Sequence, residues 1–205
     1  MRQHPPTTRR SRLTTENGGC DYRGSMRIVS LLPSTTEILW AIGAGNDVVG
    51  VTFECDYPAE ARTRTVVSNS SLPADLTPAE IDAHVSAALA RGEDLYHLDQ
   101  DALAGLDADL VVTQDLCAVC AVDIDVVNDA LSYLGCTAEV ITIDPHSLDE
   151  VLHSIIRLGD ITGHSAAAAT LVEDLRRRLA AVAVRVKTAA RRPRVVVLEW
   201  TDPPY

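Results

Sequence analysis

Aromatic side chains are scarce in this sequence, a single Phe, two Trp and five Tyr, or 4 % of 205 residues, so its core has to be aliphatic. Positive charge is short as well, with 18 Lys and Arg against 29 Asp and Glu for a formal −11. That balance excludes a general nucleic-acid or anionic-membrane binder, whose affinity comes from clustered cations. No apolar run reaches the length of a bilayer span, so no membrane insertion is expected. Arg9, Arg10 and Arg12 are not followed by an apolar h-region, and Gly18-Gly19-Cys20 lacks the hydrophobic lead of a lipoprotein site, which predicts a cytoplasmic protein. The five cysteines, Cys20, Cys55, Cys117, Cys120 and Cys136, are odd in number in a chain too large to need stapling, and they read as free thiols or ligands rather than a disulfide framework.

What is present is one α/β domain and a little more. Residues 1–25 hold five Arg against two acids, which leaves −14 on residues 26–205. This basic stretch is expected to be a disordered tail or an extension upstream of a true start at Met26. From Met26 onward, β-branched runs alternate with helical patterns, as in a Rossmann-like parallel sheet with crossover helices. The predicted strands are Arg27–Leu32, Asp47–Thr52, Asp109–Thr113, Ala138–Ile143 and Arg194–Glu199. Three helix starts carry the S/T-x-x-E pattern in which cap hydroxyl and carboxylate satisfy each other's backbone amides: Ser34 with Glu37, Thr77 with Glu80 and Ser147 with Glu150. Gly135 and Gly163 are placed to end helices. Ile38, Leu39 and Ile42 predict one apolar helix face, and Leu148, Val151, Leu152 and Ile155 another. An Ala-rich segment over 164–190, with a stripe of Leu171, Leu175, Val182 and Val186, predicts a rod too long for an ordinary crossover.

In parallel sheets ligands bind along the C-terminal rim of the strands, which singles out the loops 33–37, 53–58, 114–120 and 200–205. Cys55, Cys117 and Cys120 fall on two of them. They fit a thiolate-bound soft metal, redox exchange by Cys117 and Cys120, or small half-buried thiols without chemistry. Gly43-Ala44-Gly45 follows a helix instead of a strand and is no dinucleotide fingerprint. His146 near the rim reads as a surface residue. No nucleophile and base set or supported carboxylate pair is present in a recognisable pattern, so an enzyme is not expected.

The run Arg27-Ile28-Val29-Ser30-Leu31-Leu32-Pro33-Ser34-Thr35-Thr36-Glu37-Ile38-Leu39 resembles the opening strand and turn of the class III periplasmic binding proteins, the helical-backbone metal receptors of ABC-type importers. Asp56-Tyr57-Pro58, Asp109-Leu110-Val111-Val112, the long helix and Glu199-Trp200-Thr201-Asp202-Pro203-Pro204-Tyr205 match in order, so the resemblance covers residues 26–205. Within the superfamily the likeness is to the cobalamin-binding branch, and to a signal-less group with E-C-D-Y-P and D-L-C-x-V-C loops.

The resemblance implies an N-terminal lobe over 26–163, a connecting backbone helix over 164–192 and, over 193–205, the first strand of a second lobe that is absent. The implied ligand is cobalamin or an iron chelate, bound without chemistry between lobes and near Ser34, Thr35, Phe53, Glu54, Cys55, Gln114, Asp115, Cys117, Trp200 and Tyr205. It also implies ABC importer membrane subunits as partners, with Glu80 as the docking glutamate, and an extracytoplasmic location for the wider family. Cys55, Cys117 and Cys120 stay as metal candidates under a rival reading, a cytoplasmic corrinoid or metal handler or a thiol redox protein. Where relatives press aromatics on a corrin, this chain has Glu54, Asn69 or Ser70, and Gln114. Lacking a second lobe, it is expected to bind ligand weakly or not at all by itself.

Overall fold

The computed structural model describes residues 26–93, 95–114, 127–129, 137–198 and 200–204. Cys20, Asp115, Cys117, Cys120, Gly135, Cys136, Glu199 and Tyr205 therefore lie outside the described residues. In chain order, β1 (Ile28–Ser30), α1 (Pro33–Ala41), β2 (Val48–Val51), a 3-10 turn (Ala59–Thr63), β3 (Thr65–Val66) and β4 (Ser68–Ser70) come first. Then follow α2 (Pro78–Arg91), β5 (Tyr96–Leu98), α3 (Gln100–Ala104), β6 (Leu110–Thr113), β7 (Glu139–Thr142), α4 (Leu148–Ile161) and α5 (Ser165–Lys187).

Five strands form one parallel sheet in the order β3-β2-β1-β6-β7. Four of the predicted strands are its four longest members. The apolar runs alternate between two cores, as period-two side chains must: Ile28, Leu110 and Val112 join one cluster, Val29 and Val111 the other. The first cluster lies under α1, α4 and α5, with Leu39, Ile42, Leu152, Ile155 and Leu158 packed on the strands. The second contains Val67, Leu103, Leu106 and Val127. A parallel sheet covered on both faces needs continuous apolar strands, and these supply them.

The order runs outward from β1 through β2 to β3, then returns to β6 on the other side of β1. The direction thus reverses between β1 and β6, the switch point at which open parallel sheets take their ligands.

Several expectations change. Ser34 does not cap α1, because the helix has already begun at Pro33, with Leu32 as its N-cap and no side-chain cap bond. The Thr77 and Glu80 box is complete. At α4 the Ser147 hydroxyl accepts from the Glu150 amide, while the Glu150 carboxylate takes the amide of His146. Gly163 follows α4 at φ +75°, a left-handed conformation that glycine adopts without strain. Leu148 and Val151 are exposed and do not belong to the α4 face, which is Leu152, Ile155, Leu158 and Gly159. α5 is as long as expected, but only its first half is seated: Ala168 and Val172 are buried and Leu171 and Leu175 half-buried, while Val182 and Val186 are exposed. Residues 194–198 form no strand. Their Val run carries the propensity, but no described segment lies alongside to complete the hydrogen-bond ladder, and Val195, Val196 and Val197 are 71 to 86 % exposed. The antiparallel pair of β4 and β5 was not foreseen.

Candidate functional site

The switch point is floored by a buried polar cluster. Thr36 Oγ1 donates to Ser30 Oγ at 2.8 Å, Ser30 Oγ and Thr35 Oγ1 share one hydrogen bond at 2.6 Å, and whichever of the two accepts in it donates to the Leu32 carbonyl, 3.1 Å from both. Cys55 Sγ closes the chain 3.0 Å from Thr36 Oγ1. Every hydroxyl in it has a partner, as buried polar groups require. The result ties the turn after β1 to the loop after β2. A second hydroxyl pair, Ser68 Oγ donating to Thr52 Oγ1 at 2.8 Å, joins that loop's root to β4.

The residues nominated from sequence divide accordingly. Thr35 and Cys55 are buried within the cluster, whereas Ser34, Phe53 and Glu54 are exposed and Gln114 is half-buried. Burial pushes the Cys55 thiol above its ordinary value; the Thr36 contact opposes this without overcoming it. The environment disfavours a thiolate, the form that binds metals and attacks disulfides. Among the described residues no three His, Cys, Asp or Glu side chains converge as a metal cluster would. Gln114 Nε2 donates to Asp144 Oδ1 at 3.4 Å, and Asp144 Oδ2 lies 3.5 Å from His146 Nε2, so the loop after β7 joins the rim. Trp200 Nε1 donates to the Asp202 carbonyl inside a turn closed by a bridge between Thr201 and Pro204.

Sequence reasoning missed Tyr96. Its ring stacks on Phe53 with centroids 5.8 Å apart and planes at 27°, and its hydroxyl donates to Glu54 Oε1 at 3.4 Å. Tyr96 also packs on the second core cluster, so it backs the exposed Phe53 with fixed structure. The signal was the alternation of Leu95, Tyr96, His97 and Leu98, too short to stand out beside a Ser-Asn-Ser partner strand.

Glu80 sits away from these groups, at the first turn of α2. Its carboxylate accepts from both the hydroxyl and the amide of Thr77, and those bonds hold it below the usual carboxylate range. Separately, a shallow cavity of about 300 Å³ at the end of β7 is lined by Ile143, Asp144, Glu150, His153 and Arg157. Of these residues Asp144 and, through the His146 amide, Glu150 touch the rim. No helix among the described residues is long and apolar enough to cross a membrane.

No family model matches the chain. Among curated proteins, a cobalamin-binding protein of Halobacterium salinarum is 30 % identical over 174 residues, 82 % of this chain and 38 % of that protein. An uncharacterized ABC transporter substrate-binding lipoprotein of Bacillus subtilis is 28 % identical over 169 residues, 80 % of this chain and 43 % of its own length. The chain thus spans about two-fifths of the curated relatives it matches. Solved structures share the fold at lower identity. The periplasmic vitamin B12 binding protein of Vibrio cholerae matches at TM-score 0.55 and 19 % identity, covering 79 % of this chain and 51 % of that one. A periplasmic haem binding protein of the same organism matches at 0.58 and 19 %, over 83 % and 53 %. A cytoplasmic location, expected from the missing h-region, is overturned by these findings: one relative is a lipoprotein and the structural neighbours are periplasmic, which points outside the cytoplasm.

Proposed function

Sequence relatives and fold together support the class III periplasmic binding proteins as the family of this chain, and on that premise we propose that it is the ligand-binding component of an ABC-type import system, acting outside the cytoplasm on cobalamin or an iron chelate. It binds its ligand without transforming it. Residues 26–163 serve as the N-terminal lobe and 164–192 as the connecting helix, with 193–205 leading into a second lobe. Glu80, exposed at the start of α2, is the residue proposed to meet the membrane subunits.

The observation that carries this reading is the topological switch point between β1 and β6. Ser34, Phe53, Glu54 and Gln114 follow the C-terminal ends of β1, β2 and β6, beside a cluster whose polar groups are already satisfied among themselves. The turn after β1 and the loop after β2, tied together in this way, present side chains to a ligand without first having to be ordered, which preserves affinity. The buried, protonated Cys55 favours this reading over metal or redox chemistry at that thiol.

The test is calorimetric titration of cyanocobalamin and haemin into the chain. Of the two outcomes expected above for the chain by itself, this reading requires the weak one: saturable one-to-one binding of at least one compound at tens of micromolar, in keeping with a chain that spans about two-fifths of its relatives' length. Phe53→Ala should weaken it further, roughly tenfold, through loss of a ring contact. No saturable binding of either compound would overturn the proposal.

A further inference from the structure

We propose that Glu54, held by Tyr96 beside the exposed Phe53 ring, selects the ligand: a flat macrocycle fringed with amides is accepted and one fringed with carboxylates is rejected. The inference rests on the binding function proposed above and adds to it the residue that discriminates. Three observations carry it.

The first is the platform. Phe53 is 43 % exposed and is backed by the Tyr96 ring, itself packed on the buried cluster that holds Val29, Leu31 and Val67. A supported aromatic face of this kind suits a flat, conjugated or polarisable partner. The second is position. The Tyr96 hydroxyl donates to one oxygen of Glu54, which leaves the other carboxylate oxygen and the remaining lone pairs as acceptors for groups at the edge of a ligand on Phe53. Amide N–H groups fit those acceptors; carboxylates have no hydrogen to give and repel them.

The third is the absence of compensating charge. The described rim, residues 33–37, 53–58, 114, 144–147 and 200–204, contains Glu37, Glu54, Asp56, Asp144 and Asp202 and no Lys or Arg. Arg62, the cation that meets the second loop, is engaged by Asp56 through both its carbonyl and its carboxylate. His146 is paired with Asp144, and Arg157, which lines the cavity at the end of β7 with Asp144, donates to the Thr142 carbonyl. With Asp56 and Asp144 so paired, a carboxylate-bearing ligand seated on Phe53 meets the Glu54 carboxylate and finds no cation in these loops to offset the repulsion.

Cyanocobalamin, whose corrin edge carries amides, and haemin, whose porphyrin carries two propionates, are the two probes. The ratio of their dissociation constants is measured by titration with the full chain, with Glu54→Gln and with Tyr96→Phe. Wild type should prefer cyanocobalamin. Glu54→Gln, which keeps the shape and removes the charge, should tighten haemin roughly tenfold while cyanocobalamin changes little. Tyr96→Phe, which keeps the ring and releases the carboxylate, should move the ratio the same way by a smaller factor. A structural defect would weaken both probes together, so the ratio reports selection rather than folding. If wild type binds haemin as well as cyanocobalamin, or the ratio is unmoved by Glu54→Gln, this inference is overturned and the binding function stands. If neither probe binds any of the three proteins, both fall.

Discussion

Cys55 shows how one side chain can occupy a rim loop and still serve the interior. Its thiol is 4 % exposed and faces the Thr36 hydroxyl, and burial raises its pKa. A raised value in the folded state means that the native protein holds the proton longer than the unfolded chain. Its contribution to stability is therefore complete below the unfolded thiol value and is lost as pH rises through the folded one. Two outcomes are expected: the thiol resists iodoacetamide in native protein at pH 8 and reacts once the chain is unfolded in guanidinium, as mass spectrometry of the peptide carrying Cys55 would show. Rapid native labelling would mean that the thiol is open to solvent. That Cys55 belongs to this loop was legible in the sequence, because loop position follows from strand order. The direction of its side chain was not, because Ser30, Thr35 and Thr36 reveal a shared cluster only when β1, β2 and the turn between β1 and α1 are brought together. Tyr96 was hidden for the same reason, since its value lies in a contact across 43 residues with Phe53.

Among the elements, the junction of α4 and α5 is the most tightly specified. Gly159 allows the two helices to approach: a Cβ there would stand 2.4 Å from the Cβ of Ala168 and 3.3 Å from the His164 carbonyl oxygen. Both neighbours belong to the adjoining helix and its cap, so they cannot step aside without moving the backbone. Gly159→Ala is expected to destabilise the protein by about 1–3 kcal/mol through overpacking, measured by urea unfolding; an unchanged midpoint would show that the junction yields. Helices were readable where their signals are local. The Thr77 and Glu80 box spans four residues and formed as written. The Ser34 and Glu37 pair has the same spacing but follows Pro33, whose fixed φ starts the helix one residue early and places Ser34 inside the first turn. Local pattern also misled at 194–198, since strand propensity is realised only against a partner.

The molecule as a whole divides into a packed body and an exposed end. Residues 176–198 are exposed throughout, and from Ala189 they carry no regular structure. Brief tryptic digestion should therefore cut after Arg191 or Arg194, Arg192 being protected by the Pro193 that follows it, well before Arg27 or Arg64, which are held by bonds to Leu106 and Gly45. Fragment masses would report the order, and early cleavage inside the sheet would contradict it. At this scale the sequence disclosed the parallel sheet and the long helix, because both follow from repeated apolar periodicity. It did not disclose where the helix leaves the body, since Leu171 and Val182 look alike until α4 is found beneath the first and nothing described beneath the second.

That half-seated helix is a lever with its fulcrum at Gly159 and Ala168. From that fulcrum to Lys187 the helix runs about 28 Å, of which the exposed residues 176–187 make up about 18 Å, so a tilt of about 5° carries the tip through about 2.5 Å. One methyl group added at the fulcrum would re-aim the arm, and with it whatever the chain delivers beyond Lys187.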